Sequence, residues 1–169
     1  GLLAGLWGLG RLAFLFPATP AAAALELCFL FVLVAAIARE LIAGANWRNL
    51  PFLVLIALFA TGNVAIHLER LGIAEAADAG YRLSIFVLAM LVALIGGRIV
   101  PSFTRNWLKA RGGDDLPVPA NAFDRAALAT LALLAVAEVA APDEPATGAL
   151  AVATGLLHAW RLIRWKGVR

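Results

Sequence analysis

Stretches of about twenty residues with almost no charge decide what this chain can become. From residue 49 to 68 no Asp, Glu, Lys or Arg occurs, and in residues 21–43 only Glu26 is charged before Arg39. A bilayer core about 30 Å thick is crossed by ~20 helical residues at 1.5 Å each. Inside lipid only helices and closed barrels satisfy every backbone group, and barrel strands would be shorter and alternate in polarity. Hydrophobic residues make up 63% of the chain and charged residues 15%, where a soluble domain would be nearer half and a quarter. The expected fold is therefore all-α: a polytopic transmembrane helix bundle of five to six spans, forming a single helical domain over residues 1–169. Its principal partner is the lipid bilayer.

Six apolar segments follow one another: 2–16, 21–43, 49–68, 81–107, 123–141 and 146–165. The first is short for a span. Pro17 and Pro20 separate it from the second, because proline cannot continue the hydrogen-bond ladder. Charge in the connections gives a direction. Arg39, Arg48, Arg105, Lys109, Arg111, Arg125, Arg161, Arg164, Lys166 and Arg169 fall on one side; only Arg70 and Arg82 fall on the other, beside five acidic residues. The richly basic side is expected in the cytoplasm, with the N-terminus of this segment. Trp47, Trp107, Trp160 and Trp165 are expected at the same boundary, where amphipathic rings settle. The net charge of +3 and pI near 9.8 are thus topology signals, and no nucleic acid is expected. The lone cysteine, Cys28, lies in an apolar run and excludes a disulfide framework. The chain opens at Gly1 inside an apolar run and holds one methionine, Met90; it reads as a portion of a longer protein.

Polar residues within the spans are the functional candidates, since ionisable groups at that depth are costly. Glu26, His67 and Glu138 form an outer layer within roughly 10 Å of one boundary. As interface residues they would snorkel; otherwise they belong to a polar cavity or metal site. Arg98 and His158 form an inner layer. Gly96 and Gly97 let a helix or flat ligand approach closely, and Pro101 should kink the helix. That setting suits an anionic group held by Arg98, a propionate or carboxylate. Arg98 could equally snorkel or pair with a neighbouring helix end. His158 is either a ligand for haem iron or copper or a histidine hydrogen-bonded to a neighbour. His67 and His158 are the only histidines, and they sit on opposite layers, about 15 Å apart along the membrane normal. No single haem can use both. Metalloprotease, nucleotide-binding and serine-nucleophile motifs are absent, and enzymatic turnover is not legible.

The run GGRIVPSFTRNWLKARG at residues 96–112, with NVAIHL at 63–68 and LHAWRL at 157–162, resembles the signatures of the NnrS family. That resemblance implies a many-helix bacterial inner-membrane protein that binds haem and copper and is linked to nitric oxide and nitrosative stress. By it, His67, Arg98, Arg105 and His158 are cofactor-binding positions, His67 and His158 metal ligands among them. Nothing here matches the family's N-terminal WHxHE-like stretch, so missing ligands are expected from the remaining helices of the full-length protein. Two other functions stand beside this one: a small-anion transporter or channel with Arg98 lining the path, and a structural membrane scaffold.

Overall fold

The computed structural model describes residues 1–13, 15 and 19–166; residues 14, 16–18, with Pro17 among them, and 167–169, with Arg169 among them, lie outside the description. Six helices carry the chain: α1 (Leu2–Ala13), α2 (Pro20–Ala43), α3 (Leu50–Arg70), α4 (Ala77–Ala110), α5 (Ala122–Ala140) and α6 (Pro145–Arg164), with a 3-10 turn at Trp47–Asn49 before α3. No strand occurs among the described residues. Each sequence segment becomes one helix. Four of them, α2, the 3-10 turn with α3, α4 and α6, are long and apolar enough to cross a membrane. α1 has 12 residues. α5 has 19 but carries Asp124, Arg125 and Glu138. The chain is an all-helical, multi-pass membrane protein.

Helix ends follow the local sequence. Pro20, Pro51 and Pro145 stand in the first turns of α2, α3 and α6, where a missing N–H costs nothing. The Thr19 hydroxyl accepts from the Ala22 amide at 3.1 Å. α3 closes on Gly72 at φ +68, with Ile73 N–H returning to the Leu68 carbonyl. The Glu69 carboxylate then accepts from the Ala76 and Ala77 amides at 2.9 and 2.7 Å, capping α4. Asn121 caps α5 by accepting from Phe123 N–H, while Asp124 accepts from Asn121 N–H at 3.0 Å. Pro101 lies inside α4, which remains one helix of 34 residues.

The chain forms two compact units, Gly1–Val87 and Leu88–Arg169, divided within α4. In the first, α1 packs on α2 and α2 on α3. Gly10 rides on Glu26: a Cβ there would stand 3.1 Å from the Glu26 Cα. Gly62 and Gly80 bring α3 and the start of α4 together, with Gly80 O only 2.9 Å from where a Gly62 Cβ would be. In the second, α5 and α6 pair and the latter part of α4 lies against α6. Only 11–17% of each spanning window is buried. Leu88, Val92, Val136, Leu156 and Ile163 are among the many large apolar side chains left exposed. Such faces suit lipid tails or further helices.

Candidate functional site

Two buried polar clusters stand out, one in each unit. In the first unit Glu26, 8% exposed, gathers three basic partners. Arg11 from α1 pairs with its Oε1. His67 Nε2 lies 3.1 Å from Oε2, and Arg70 Nη1 lies 3.8 Å from the same atom. The grouping of Glu26 with His67 was legible from depth; the part of Arg11 was not seen. A signal existed. Arg11 stands six residues before Pro17 and Glu26 six after Pro20, so a hairpin places opposite charges at equal height. His67 is buried, with Nε2 committed to Glu26, and two guanidiniums sit on the same carboxylate. A cation arriving there would meet two positive charges and displace a partner of the one carboxylate. The donor set does not fit a metal ion.

In the second unit α6 turns a polar seam inward. Thr147, Thr154, His158, Arg161 and Trp165 recur at spacings of three, four or seven, which put them on one helix face. Thr147, Thr154, Arg161 and Trp165 are all under 9% exposed. Thr147 Oγ1 donates to the Ala141 carbonyl at 2.8 Å. Arg161 Nε donates to Asp124 Oδ1 at 3.0 Å, and its Nη1 to the Ala93 carbonyl of α4 at 2.9 Å. Arg164 adds a second guanidinium 3.6 Å from Asp124 Oδ2. The guanidinium of Arg161 also lies over the Trp165 ring, 5.1 Å from its centre.

The paired glycines of α4 serve this seam. A Cβ on Gly97 would stand 3.0 Å from Arg161 Cζ and closer still to Nη2; one on Gly96 would meet the Trp165 ring at 3.6 Å. So the arginine that the glycine-faced helix receives is Arg161. Arg98 itself is exposed on α4. Arg161 was expected as a boundary charge and Trp165 as a boundary ring; both are packed between helices instead, because Gly96 and Gly97 leave them room. Trp47, Trp107 and Trp160 remain exposed at 60%, 47% and 58%. Asp124 was missed altogether. It lies close to Arg161 in height along the α5–α6 hairpin, the same signal as in the Arg11–Glu26 pair.

Beside the seam is an apolar cavity of about 670 Å³, walled by α4, α5 and α6 and lined by Ala93, Gly96, Leu131, Leu134, Thr154, His158 and Arg161 among others. His158 is half-buried; its Nε2 lies 2.9 Å from the Ala127 carbonyl of α5. A carbonyl only accepts, so Nε2 donates, and in the neutral ring Nδ1 then keeps its lone pair. Thr154 Oγ1 is buried without a hydrogen-bond partner. Arg105, half-buried, donates from Nη2 to the Pro117 carbonyl at 3.0 Å and ties the 111–121 loop to the end of α4. Of the four cofactor-binding candidates, His158, Arg98 and Arg105 thus lie in the second unit and His67 in the first; only His158 lines this cavity. Among the described residues, no group of three or more His, Cys, Asp or Glu side chains could hold a metal ion.

No curated protein and no solved structure matches the chain. The family model of the NnrS protein matches residues 1–169. The two motifs that meet in space, the glycines at 96–97 and the LHAWRL run at 157–162, lie within that match, and the chain belongs to the NnrS family.

Proposed function

We propose that this chain is a haem-binding portion of an NnrS-type bacterial inner-membrane protein, linked to nitric oxide metabolism and nitrosative-stress tolerance, with its N-terminal end cytoplasmic. The observation that carries the proposal is His158, an imidazole on the wall of an apolar cavity of about 670 Å³, whose Nε2 meets a carbonyl that Thr130 also serves. Haem suits such a place. Its bulk is apolar, pockets of this size hold ligands of its class, and His158 would be the residue to hold its iron. A bound haem iron offers a coordination position to a diatomic such as nitric oxide.

The chain's own residues would divide the work. His158 supplies the ligand nitrogen. The Arg161–Asp124 pair and the Ala93 carbonyl hold α6 and α4 at fixed register around the cavity. Leu131 and Leu134, both under 9% exposed, help close its floor and keep water out. Arg98 stands exposed on α4 and does not line the cavity. Arg105 keeps the loop at the membrane boundary in place. Copper finds no comparable seat: the surroundings of His67 are unsuited to a cation, so a copper site would draw its ligands from the remaining helices of the full-length protein. The anion-pathway alternative draws no support from the cavity, to which α4 contributes Gly96 and Val100 while Arg98 lies on another face.

The test is a visible spectrum of the purified full-length protein, oxidised and dithionite-reduced, with metal analysis of the same sample. A Soret band that shifts on reduction and on nitric oxide addition, and that His158→Ala abolishes, is the expected result. A colourless full-length protein, or unchanged absorbance in His158→Ala, would overturn the assignment.

A further inference from the structure

We propose that Thr154 is the positioning residue for His158 when that histidine binds haem iron: its hydroxyl accepts the Nδ1–H of the ring, and Nε2 is released to the metal. The inference rests on the haem assignment above. It starts from an imbalance of hydrogen-bond donors across the cavity wall.

The Ala127 carbonyl has more donors than it needs. It lies within α5, whose helical ladder uses it once. Thr130 Oγ1 donates to it at 2.9 Å, and His158 Nε2 approaches it at 2.9 Å as well. A carbonyl oxygen offers two lone pairs, so it can give up the imidazole and stay satisfied. Ala127 is 0% exposed, and no water need replace the lost donor.

Thr154 is in the opposite condition. The residue is 3% exposed, its Oγ1 has no partner, and it lines the same cavity as His158. A helical threonine ordinarily bonds the carbonyl three or four residues back; this one does not. The other buried side-chain atoms without partners, Ser84 Oγ and Arg164 Nη1, have local explanations. Ser84 is pressed against Gly62, and Arg164 Nη1 lies just beyond hydrogen-bond reach of Asp124. Neither lines the cavity.

Position and chemistry then agree. Thr154 is four residues before His158, and a helical side chain leans toward its own N-terminal turn, over the residue at i−4. A turn of the His158 ring away from α5 would therefore bring it over the threonine hydroxyl. A neutral imidazole that gives one nitrogen to a metal carries its proton on the other, and that N–H needs an acceptor to fix the ring. Nε2 is the nitrogen farther from the backbone, so once released from the Ala127 carbonyl it is the one with the reach to enter the cavity. With Nε2 on iron, Nδ1–H faces Thr154, and the orphaned oxygen gains its partner. One rearrangement satisfies every group on this wall.

The experiment uses the haem-loaded full-length protein. Thr154→Val and Thr154→Ala are compared with Thr154→Ser by haem affinity, by the iron–imidazole stretching band in the resonance Raman spectrum, and by midpoint potential. Losing an acceptor from a ligating histidine weakens metal binding by roughly 10-fold or more. It also makes the ring a poorer electron donor. The valine and alanine variants should bind haem about that much more weakly, with a lower stretching frequency and a more positive potential. The serine variant should restore all three, and Thr130→Val, which strips only a surplus donor, should leave them unchanged. If Thr154→Val and Thr154→Ala match wild type while His158→Ala loses haem, the role of Thr154 is refuted and the haem site stands. If His158→Ala keeps its haem with an unchanged spectrum, the site itself is wrong, and this inference fails with it.

Discussion

Gly97→Ala should damage the protein while Gly96→Ala should not, although the two glycines are neighbours on one helix. In α4 a Cβ at position 96 would meet only the edge of the Trp165 ring at 3.6 Å, an ordinary contact. At position 97 it would stand 3.0 Å from Arg161 Cζ and closer to Nη2. A guanidinium on the surface would swing aside. Here it is held by Asp124 on one side and the Ala93 carbonyl on the other, and Arg161 is 3% exposed. If it yields only the Ala93 bond, the loss is about 1.5–3 kcal/mol for a hydrogen bond to a charged group. If it leaves Asp124 too, the loss is about 3–5 kcal/mol, as for a broken buried pair. Alanine returns about 1 kcal/mol of helix propensity. The net expectation is destabilisation by about 2–4 kcal/mol when the pair breaks, and by about 0.5–2 kcal/mol when it holds.

Reversible unfolding in mixed micelles measures this, read as a double-mutant cycle with Arg161→Ala. The nearest atoms that a Cβ at 97 would strike all belong to Arg161. In the Arg161→Ala background Gly97→Ala should therefore change sign and stabilise by up to ~1 kcal/mol. Equal effects of the two glycine substitutions, or an unchanged penalty without Arg161, would refute the argument.

Two further outcomes follow from the buried ion pairs. Glu26→Gln leaves Arg11, Arg70 and His67 without their carboxylate and should cost about 2–4 kcal/mol, below the full figure for a buried pair because Arg11 is half-exposed; an unchanged melting temperature in detergent would show that the cluster is not a structural tie. Asp124→Asn removes the charge that faces Arg161 and Arg164 and weakens the α5 cap, for a loss of about 3–5 kcal/mol. The Asp124→Leu/Arg161→Met double variant should lose less than either single change, and additive losses would count against direct pairing.

What could be read from the sequence was whatever depends on periodicity and depth. Apolar runs bounded by prolines fixed the six helices to within a few residues. Pro101 sits within α4 without ending it, since a helix packed on its neighbours tolerates one missing bond. The partners of the polar residues were harder to see. Arg161 and Asp124 each look like boundary charges when a span is read alone, because a charge near a helix end satisfies the positive-inside pattern whether it faces water or another helix. His158 could be placed on its helix, but its choice between Nε2 and Nδ1 depends on a carbonyl in a different helix.

A pairwise rule would have recovered much of the rest. In a hairpin of two spans, residues equally far from the turn share a height. Arg11 with Glu26 satisfies that condition, and Asp124 with Arg161 satisfies it approximately. In both cases the charges are opposite and the residue opposite is buried. The acidic side chains of the α5–α6 hairpin are Asp124 and Glu138 in α5 and Asp143 and Glu144 in the turn between the helices; Asp124 is the one that faces Arg161. The arginine first expected to hold an anion, Arg98, is exposed on α4, while Arg161 occupies the space that Gly97 leaves.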